Sequence, residues 1–308
     1  MHEAFTNDTS DPVFYIFAFS TSENGRILIL TVVLLIYLTI LSGNLLIISL
    51  ICLEPQLHTS MYFFLCNLST LDILYVSTTL PKLIYVSHTG DHVMSYAACI
   101  AQMYLYLVFA DTEGFLLTAM AIDRYIAVCF PLHYSRIMSK QVCVLLAFPT
   151  WFLASVNAFI LTFFVSKMTF FGLVKLKNIF CDLKVILSAS LSDTTSLNTY
   201  IFADAVLIGA LPFGIILASY ICIIYTVLKI KSSAGRWKTF SSCSSHITIV
   251  VLYYGSAMSL YLTKSVEQDV VFSMMFATLI PLLNPLVYSL RNKDILRAIK
   301  KNVYRKRT

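Results

Sequence analysis

Residues 27–50 read ILILTVVLLIYLTILSGNLLIISL and contain no charged side chain. A helix rises about 1.5 Å per residue, so about 20 apolar residues cross the ~30 Å hydrocarbon core of a bilayer. Six further apolar runs of similar length lie at 60–86, 96–129, 142–164, 199–228, 239–262 and 271–290. The pattern predicts an all-α membrane protein, a seven-transmembrane helix bundle.

The composition agrees with this class of fold. Of 308 residues, 58% are hydrophobic and only 12% are charged, which is too little polar surface for a soluble protein of this length. The loops are short and leave no room for a separate soluble domain. We therefore expect an extracellular N-terminus at 1–26, the helix bundle at 27–290, and a cytoplasmic amphipathic helix with a basic tail at 291–308.

Basic residues predict the orientation in the membrane. The first 26 residues hold one basic residue, Arg26, whereas the loop after the fifth span and the stretch 291–308 are rich in Lys and Arg. Loops retained in the cytoplasm carry such an excess, so we expect the N-terminus outside and the C-terminus inside. The net charge of +6 then indicates contact with the lipid bilayer and not with nucleic acid. The basic residues are Lys229, Lys231, Arg236, Lys238, Arg291, Lys293, Arg297, Lys300, Lys301, Arg305, Lys306 and Arg307.

The N-terminal segment shows no cleavable signal peptide, so the first span is predicted to act as the insertion signal. Asn7-Asp8-Thr9 fits a glycosylation acceptor, and the predicted orientation places Asn7 on the outside.

Two of the eight cysteines fall on the oxidising side of the membrane: Cys99, at the outer start of the third span, and Cys181, in the loop at 165–198. A disulfide between them is the expected pairing, and two unpaired buried thiols are the alternative.

The segment that follows the last span has helical periodicity. Ile295, Leu296, Ile299 and Val303 recur at helical spacing against a basic opposite face. We predict a short amphipathic helix over 292–303 on the inner membrane surface.

Several motifs lie in order along the spans: Gly43-Asn44, SMYFFLCNLSTLDILY at 60–75, MAIDRYIAVCFPLHY at 120–134, KTFSSCSSHITIVV at 238–251 and PLLNPLVYSLRNK at 281–293. Together they resemble the rhodopsin-like G-protein-coupled receptors, and more narrowly their odorant (olfactory) receptor branch, over the whole chain. The chain departs from the branch at Ser60, Ile122 and Phe130, where proline, tyrosine and asparagine are usual. Its long outer loop also lacks the further cysteines that are usual there, so we expect that loop to be less constrained.

The resemblance implies roles at the inner end of the bundle. Asp123 is expected to hold Arg124 at rest, next to Tyr125, and activation is expected to free Arg124 to contact a G protein with support from Tyr220 and Tyr288. The alternative is that Arg124 only anchors the helix at the membrane interface.

Asp72 and Glu113 are predicted to share a depth near mid-membrane, since they lie ~18 and ~16 Å from the inner ends of their helices. Two ionised acids there would be costly, so they either share a proton or hold a cation. The wider family binds sodium in this region, and Asn44 and Asn284 are predicted to contribute amide oxygens to such a site.

A ligand pocket is expected in the outer half of the bundle, between the third, fifth, sixth and seventh spans. The alternative for any single residue is ordinary helix packing. Asp111 in particular is either a ligand contact or a protonated acid bonded to Thr112, Thr118 or a fifth-span carbonyl. The predicted positions are Met103, Tyr106, Leu107, Ala110, Asp111, Asp204, Ile208, Tyr254, Met258, Tyr261, Met274 and Ala277.

No nucleophile–base pair, metal-ligand cluster or phosphate-binding glycine loop is visible in the sequence, so we expect no enzyme and no cofactor beyond the sodium alternative. His246 is interpreted as a hydrogen-bond partner low on the sixth span. The resemblance implies an odorant receptor of the plasma membrane of sensory cilia, which binds a small volatile or semi-volatile molecule and raises cyclic AMP through a heterotrimeric stimulatory G protein. A receptor for a non-odorant metabolite is the alternative within this fold, and a transporter or channel the alternative outside it.

Overall fold

A computed structural model describes residues 12–16, 22–262, 266–291 and 293–305 of the chain. Asn7 lies outside these residues. We call the end of the bundle that carries Cys99 the outer end and the end that carries Arg124 the inner end, following the predicted orientation.

Seven long helices cross the bundle, as the sequence predicts. In the first four spans the helices are α1 (Glu23–Leu53), α2 (Ser60–Thr89), α3 (Tyr96–Cys129) and α5 (Lys140–Ser166), with the one-turn α4 (Tyr134–Ile137) between the last two. After a short α6 (Leu183–Ala189), the fifth span runs through α7 (Thr195–Asp204), a π-helical segment (Ala205–Ala210) and α8 (Leu211–Leu228). The last two spans are α9 (Ser233–Leu262) and α10 (Val266–Arg291), followed by α11 (Lys293–Arg305).

Six of the seven spans are long and apolar enough to cross a membrane by length and composition. The remaining span is α9, whose inner part carries the polar run Ser-Ser-Cys-Ser-Ser-His at 241–246. Most helices extend a few residues beyond the apolar runs, because polar residues at the membrane surface continue the helix. Side-chain caps on Ser22, Ser95 and Ser139 begin α1, α3 and α5.

The sequence did not predict a small sheet at the outer end. Strand β1 (Val13–Ile16) lies between β2 (Val93–Ser95) and β3 (Leu173–Leu176), antiparallel to β2 and parallel to β3. The sheet joins the N-terminal segment to the outer loop, and its inner face buries Phe14, Ile16 and Leu176. The outer loop is thus ordered by backbone pairing in addition to the disulfide.

Close helix contacts depend on two glycines. A Cβ atom added at Gly43 of α1 would lie 3.1 Å from Cγ of Pro285 in α10, and one added at Gly114 of α3 would lie 3.0 Å from the hydroxyl of Tyr253 in α9. Small residues permit such approaches between membrane helices. These contacts draw the first span against the seventh and the third against the sixth.

The amphipathic helix after the last span is confirmed as α11, which spans Lys293–Arg305 and includes nearly all of the predicted 292–303. Ile295 is fully buried in the main core. At its far end, Nζ of Lys301 lies 2.7 Å from a carboxylate oxygen of the buried Glu54, and Nδ2 of Asn302 donates to the other oxygen at 3.0 Å. These contacts hold α11 against the inner end of α1.

Candidate functional site

The disulfide between Cys99 and Cys181 is present, which confirms the predicted pairing. Both residues are fully buried. The backbone N–H of Cys181 donates to Oε1 of Gln102 at 2.9 Å, and Nε2 of Gln102 donates to the Thr78 carbonyl at 2.9 Å. The bridge and these hydrogen bonds fix the outer loop over the mouth of the bundle.

Below this loop, aromatic side chains form what we call the outer aromatic cluster. The ring centroids of Phe180, from the loop, and Tyr106 lie 4.6 Å apart, and those of Tyr106 and Tyr75 lie 5.5 Å apart. The remaining members are Phe109, Tyr253, Tyr254, Phe213 and Phe276. Of these residues, only Tyr106 and Tyr254 are predicted from the sequence as pocket residues.

Two hydroxyl groups in this cluster have unused hydrogen-bonding capacity. Within the described part of the chain, the buried hydroxyls of Tyr75 and Tyr254 have no hydrogen-bond partner. The Tyr253 hydroxyl, by contrast, donates to the carbonyl of Ala110 at 2.8 Å. A buried hydroxyl without a partner is costly, so a polar ligand atom that meets either group would gain a hydrogen bond.

The other predicted pocket residues differ in how deeply their side chains are buried. Met103 and Ala277 are fully buried, while Leu107 and Met274 are half-buried against the cores. Ile208 is half-buried on the π-helical segment. Met258 is 59% exposed, so its predicted orientation toward the interior is wrong in this conformation. The side chain of Tyr261 lies outside the described residues.

A polar chain crosses the outer half beside the aromatic cluster. Nδ2 of Asn157, on α5, donates to a carboxylate oxygen of Asp111 at 2.8 Å, and the Tyr200 hydroxyl donates to Oδ1 of Asn157 at 2.9 Å. Asp204, one turn beyond Tyr200 on α7, is half-buried near the same groups. Thr112 and Thr118, two of the predicted partners, instead donate to the carbonyls of Val108 and Gly114 in their own helix. Asn157, on the fourth span, was missed by the sequence analysis.

Asp72 of α2 and Glu113 of α3 are both fully buried and are close enough to interact electrostatically. With Asn44 and Asn284 they form what we call the mid-membrane group, after the depth that the sequence predicts. Nδ2 of Asn284 donates to both carboxylate oxygens of Asp72, at 3.1 and 3.0 Å. Nδ2 of Asn44 donates to the carbonyls of Ile40 and Pro281 at 3.1 and 3.2 Å.

This mid-membrane group leaves acceptor oxygens unused. In the described ranges, Oε1 of Glu113, Oδ1 of Asn284, Oδ1 of Asn44 and Oγ of Ser69 are buried without a hydrogen-bond partner. Hard cations prefer oxygen ligands, so these residues fit a small cation such as sodium. The same unpaired oxygens are equally consistent with a protonated Glu113.

At the inner end, Asp123 is buried and accepts two hydrogen bonds. The Ser60 hydroxyl donates to its Oδ1 at 2.6 Å, and the Tyr134 hydroxyl of α4 donates to the same oxygen at 2.9 Å. Burial raises the pKa of Tyr134 to about 12, so its hydroxyl remains a donor at neutral pH. Ser60 therefore has a specific role, since the proline that is usual in the family has no hydroxyl.

Arg124 is half-buried beside Asp123, and its guanidinium contacts the sulfur of Met61 on α2. The ring of Tyr125 packs edge-on against Phe130, with centroids 5.7 Å apart. That Asp123 holds Arg124 at rest stays a prediction.

A hydrogen-bonded bridge joins three helices just above Arg124. The Tyr220 hydroxyl of α8 lies 2.7 Å from Nδ1 of His246, and Nε2 of His246 lies 3.0 Å from the Leu117 carbonyl of α3. A carbonyl only accepts, so Nε2 of His246 carries a proton, and in the neutral ring Nδ1 then accepts from the Tyr220 hydroxyl. His246 is thus the hydrogen-bond partner that the sequence suggested. The hydroxyl of the nearby Tyr288 is buried without a partner among the described residues.

The fold defines the class of the protein. A crystal structure of squid rhodopsin matches it with a TM-score of 0.74 over 92% of this chain and 82% of that chain, at 17% sequence identity. At this identity the likeness concerns the fold alone, which is a seven-helix bundle like that of squid rhodopsin.

The family model for the olfactory receptors matches residues 33–306. Human olfactory receptor 1E1 is 41% identical over 306 residues, covering 98% of both chains. Rat olfactory receptor 1496 is 41% identical over 297 residues, 95% of this chain and 96% of the relative, and mouse olfactory receptor 1E16 is 42% identical over 272 residues, 87% of each. The chain belongs to the olfactory receptor family. It is therefore a multi-pass membrane receptor and not an enzyme.

Proposed function

We propose that this protein is an odorant receptor in which a small volatile or semi-volatile organic molecule binds in the outer half of the bundle and activates a heterotrimeric stimulatory G protein, raising cyclic AMP. We place it in the plasma membrane of sensory cilia, with the N-terminus outside and the C-terminus in the cytoplasm. Membership of the olfactory receptor family supports this proposal.

The observation that carries the proposal is the geometry of α3. Tyr106 of the outer aromatic cluster and Arg124 at the inner end lie on this one helix, Tyr96–Cys129. Their separation of 18 residues corresponds to ~27 Å along the helix. A ligand can shift the balance of resting and active states by its different affinity for the two, and a helix of this length links the two ends.

A cyclic-AMP reporter assay tests the function. Cells that express the receptor with a stimulatory G protein are screened against a panel of volatile molecules, with cells that lack the receptor as the control. We expect a dose-dependent rise in cyclic AMP for at least one chemical class. A ligand-evoked current in liposomes that contain no G protein would instead support a channel and contradict the proposal.

The ligand's chemistry follows from Asp111 and Asp204. The hydrogen bond that Asp111 accepts comes from the neutral amide of Asn157, so its charge is not offset by that contact. A buried carboxylate favours a donor and rejects another anion. We therefore expect amines and alcohols to be more potent than carboxylic acids of the same chain length.

This ranking is measured with one amine, one alcohol and one acid on the unmodified receptor, then on Asp111→Asn and Asp204→Asn. A hydrogen bond to a charged group contributes ~1.5–3 kcal/mol, so at least one substitution should lower amine potency about tenfold or more. Asp193→Asn, an exposed acid in the outer loop, is the matched control and should change nothing. Higher potency of the acid, or an unchanged order in both variants, would contradict the prediction.

For the mid-membrane group, we propose that a sodium ion is held by Asp72, Glu113, Asn44 and Asn284. A bound cation would offset the two carboxylates and use the unpaired oxygens of Glu113, Asn44 and Asn284. A ligand that binds only the folded state stabilises it. Replacing choline chloride by sodium chloride is therefore expected to raise the Tm of the purified receptor.

Glu113→Gln should abolish this gain, whereas Glu23→Gln, in the exposed first turn of α1, should preserve it. A Tm of the unmodified receptor that follows pH but ignores sodium would mean that the two acids share a proton, and it would contradict the sodium site.

A further inference from the structure

A groove lies between α1, α10 and α11 in the inner half of the bundle, with a volume of 180 Å³. Gly43 and Pro285, which make the close contact between α1 and α10, are among the residues that line it. Leu46 and Leu286, 50% and 44% exposed, lie at its lipid-facing side, and Ile295 and Ile299 of α11 close it toward the cytoplasm.

The polar groups in the groove are already bonded. The Thr39 hydroxyl donates to the Leu35 carbonyl at 2.7 Å, and the Ser42 hydroxyl donates to the Thr39 carbonyl at 3.1 Å. Water needs two to four polar partners to occupy a cavity. Each of these hydroxyls already uses its O–H in a bond to a backbone carbonyl, so only its oxygen is left to bond to water. Hydrocarbon therefore suits the groove better than water.

The size of the groove selects among apolar occupants. Pockets for drug-sized ligands are roughly 300–1,000 Å³, so this groove takes a segment of a chain and not a compact molecule. A helix with its side chains is about 10 Å across, which is too wide to enter. An acyl chain is an extended apolar chain and is narrow enough to enter the groove.

Charge beside the groove selects the headgroup. Residues 291–308 contain eight Lys and Arg and one acid, Asp294. The Glu54 contacts with Lys301 and Asn302 hold α11 so that it closes the groove. Lys300 is exposed on the same helix. Each basic residue near a membrane surface favours anionic lipid.

We infer that the groove between α1, α10 and α11 binds one acyl chain of an anionic phospholipid of the inner leaflet, whose headgroup contacts the basic residues of α11. The site is separate from the outer aromatic cluster, so it does not compete with the ligand. Because Pro285 belongs to the Asn-Pro-Leu-Val-Tyr segment that starts at Asn284, the lipid contacts the part of α10 that carries Tyr288 and Asn284, the one member of the mid-membrane group on this helix.

Photocrosslinking tests this inference on the full chain in nanodiscs of phosphatidylcholine. The probe is phosphatidylserine with a diazirine in the middle of one acyl chain, and labelled residues are mapped by mass spectrometry. We expect the label to concentrate on 39–50 and 282–299. Ser42→Phe fills the groove and should lower that label several-fold, whereas Ser49→Phe, an exposed α1 serine that does not line the groove, should leave it unchanged.

The headgroup is tested by exchanging the probe for diazirine phosphatidylcholine. We expect phosphatidylserine to label the groove preferentially, and Lys300→Gln to lower that preference about 5-fold. Lys231→Gln, an exposed basic residue after the fifth span, should not lower it.

Three outcomes would overturn the inference. The label could spread evenly over the lipid-facing helices, the two lipids could label the groove equally, or crosslinks between two receptors could map to the groove, which would identify a second copy as its occupant. Lys300→Gln changes an exposed side chain, so it remains informative if Ser42→Phe fails to fold.

Discussion

Arg124→Ala is expected to abolish ligand-stimulated cyclic AMP while the receptor still reaches the cell surface in nearly normal amount. Arg124 is half-buried at the inner end, so its truncation removes little packing. Its charge is permanent, and a planar guanidinium is suited to bind carbonyl and carboxylate groups of a protein partner. Surface labelling and cyclic AMP are measured on the same cells.

Two variants serve as controls for this loss. Lys175→Ala removes an exposed basic residue at the outer end and should leave signalling unchanged. Arg124→Lys keeps the charge but not the fork of donors, so we expect it to retain only part of the signal. Normal signalling by Arg124→Ala at normal surface level would show that Arg124 is only an interface anchor.

Cys99→Ser and Cys181→Ser are each expected to retain the receptor inside the cell. The bridge joins the outer start of α3 to the loop that covers the aromatic cluster, and both sulfurs are fully buried. Loss of a native disulfide typically costs ~2–5 kcal/mol, which is a large part of a marginal stability. Surface expression measured by antibody labelling of unpermeabilised cells should fall to near background.

The double variant distinguishes a disulfide between Cys99 and Cys181 from two buried thiols that do not pair. Because one bond is lost in all three cases, Cys99→Ser with Cys181→Ser should be no worse than either single change. Cys222→Ser, which removes an exposed free thiol, should express normally. A double variant much worse than both singles would mean that the two cysteines do not pair in the cell.

Much of the fold could be predicted from the order of residues because the membrane constrains it. A backbone in hydrocarbon must satisfy its own hydrogen bonds, so each long apolar run becomes a helix. The order of the spans also predicts that Cys99 and Cys181 lie on the same side of the membrane, which makes them the expected disulfide pair. Periodicity predicted α11, because its apolar residues recur at the spacing of a helix that lies on a surface.

The candidate site was predictable only in part. Counting helical rise predicted that Asp72 and Glu113 share a depth, and the predicted pocket residue Tyr106 lies in the outer aromatic cluster. Met258 shows the limit of this method, since depth does not fix the direction in which a side chain points. Rotation and tilt of each helix are set by packing against its neighbours.

The seven spans, the disulfide pair and the family could be predicted from the residues alone, since each depends on local hydrophobicity or on a motif read in order. The contact of Asn157 with Asp111, the meeting of Ser60 and Tyr134 on Asp123, and the pairing of β1 with β2 and β3 appear only in the folded chain. All of these join residues distant in the chain. Their partners are selected by helix rotation and by the path of the loops, which no local pattern encodes.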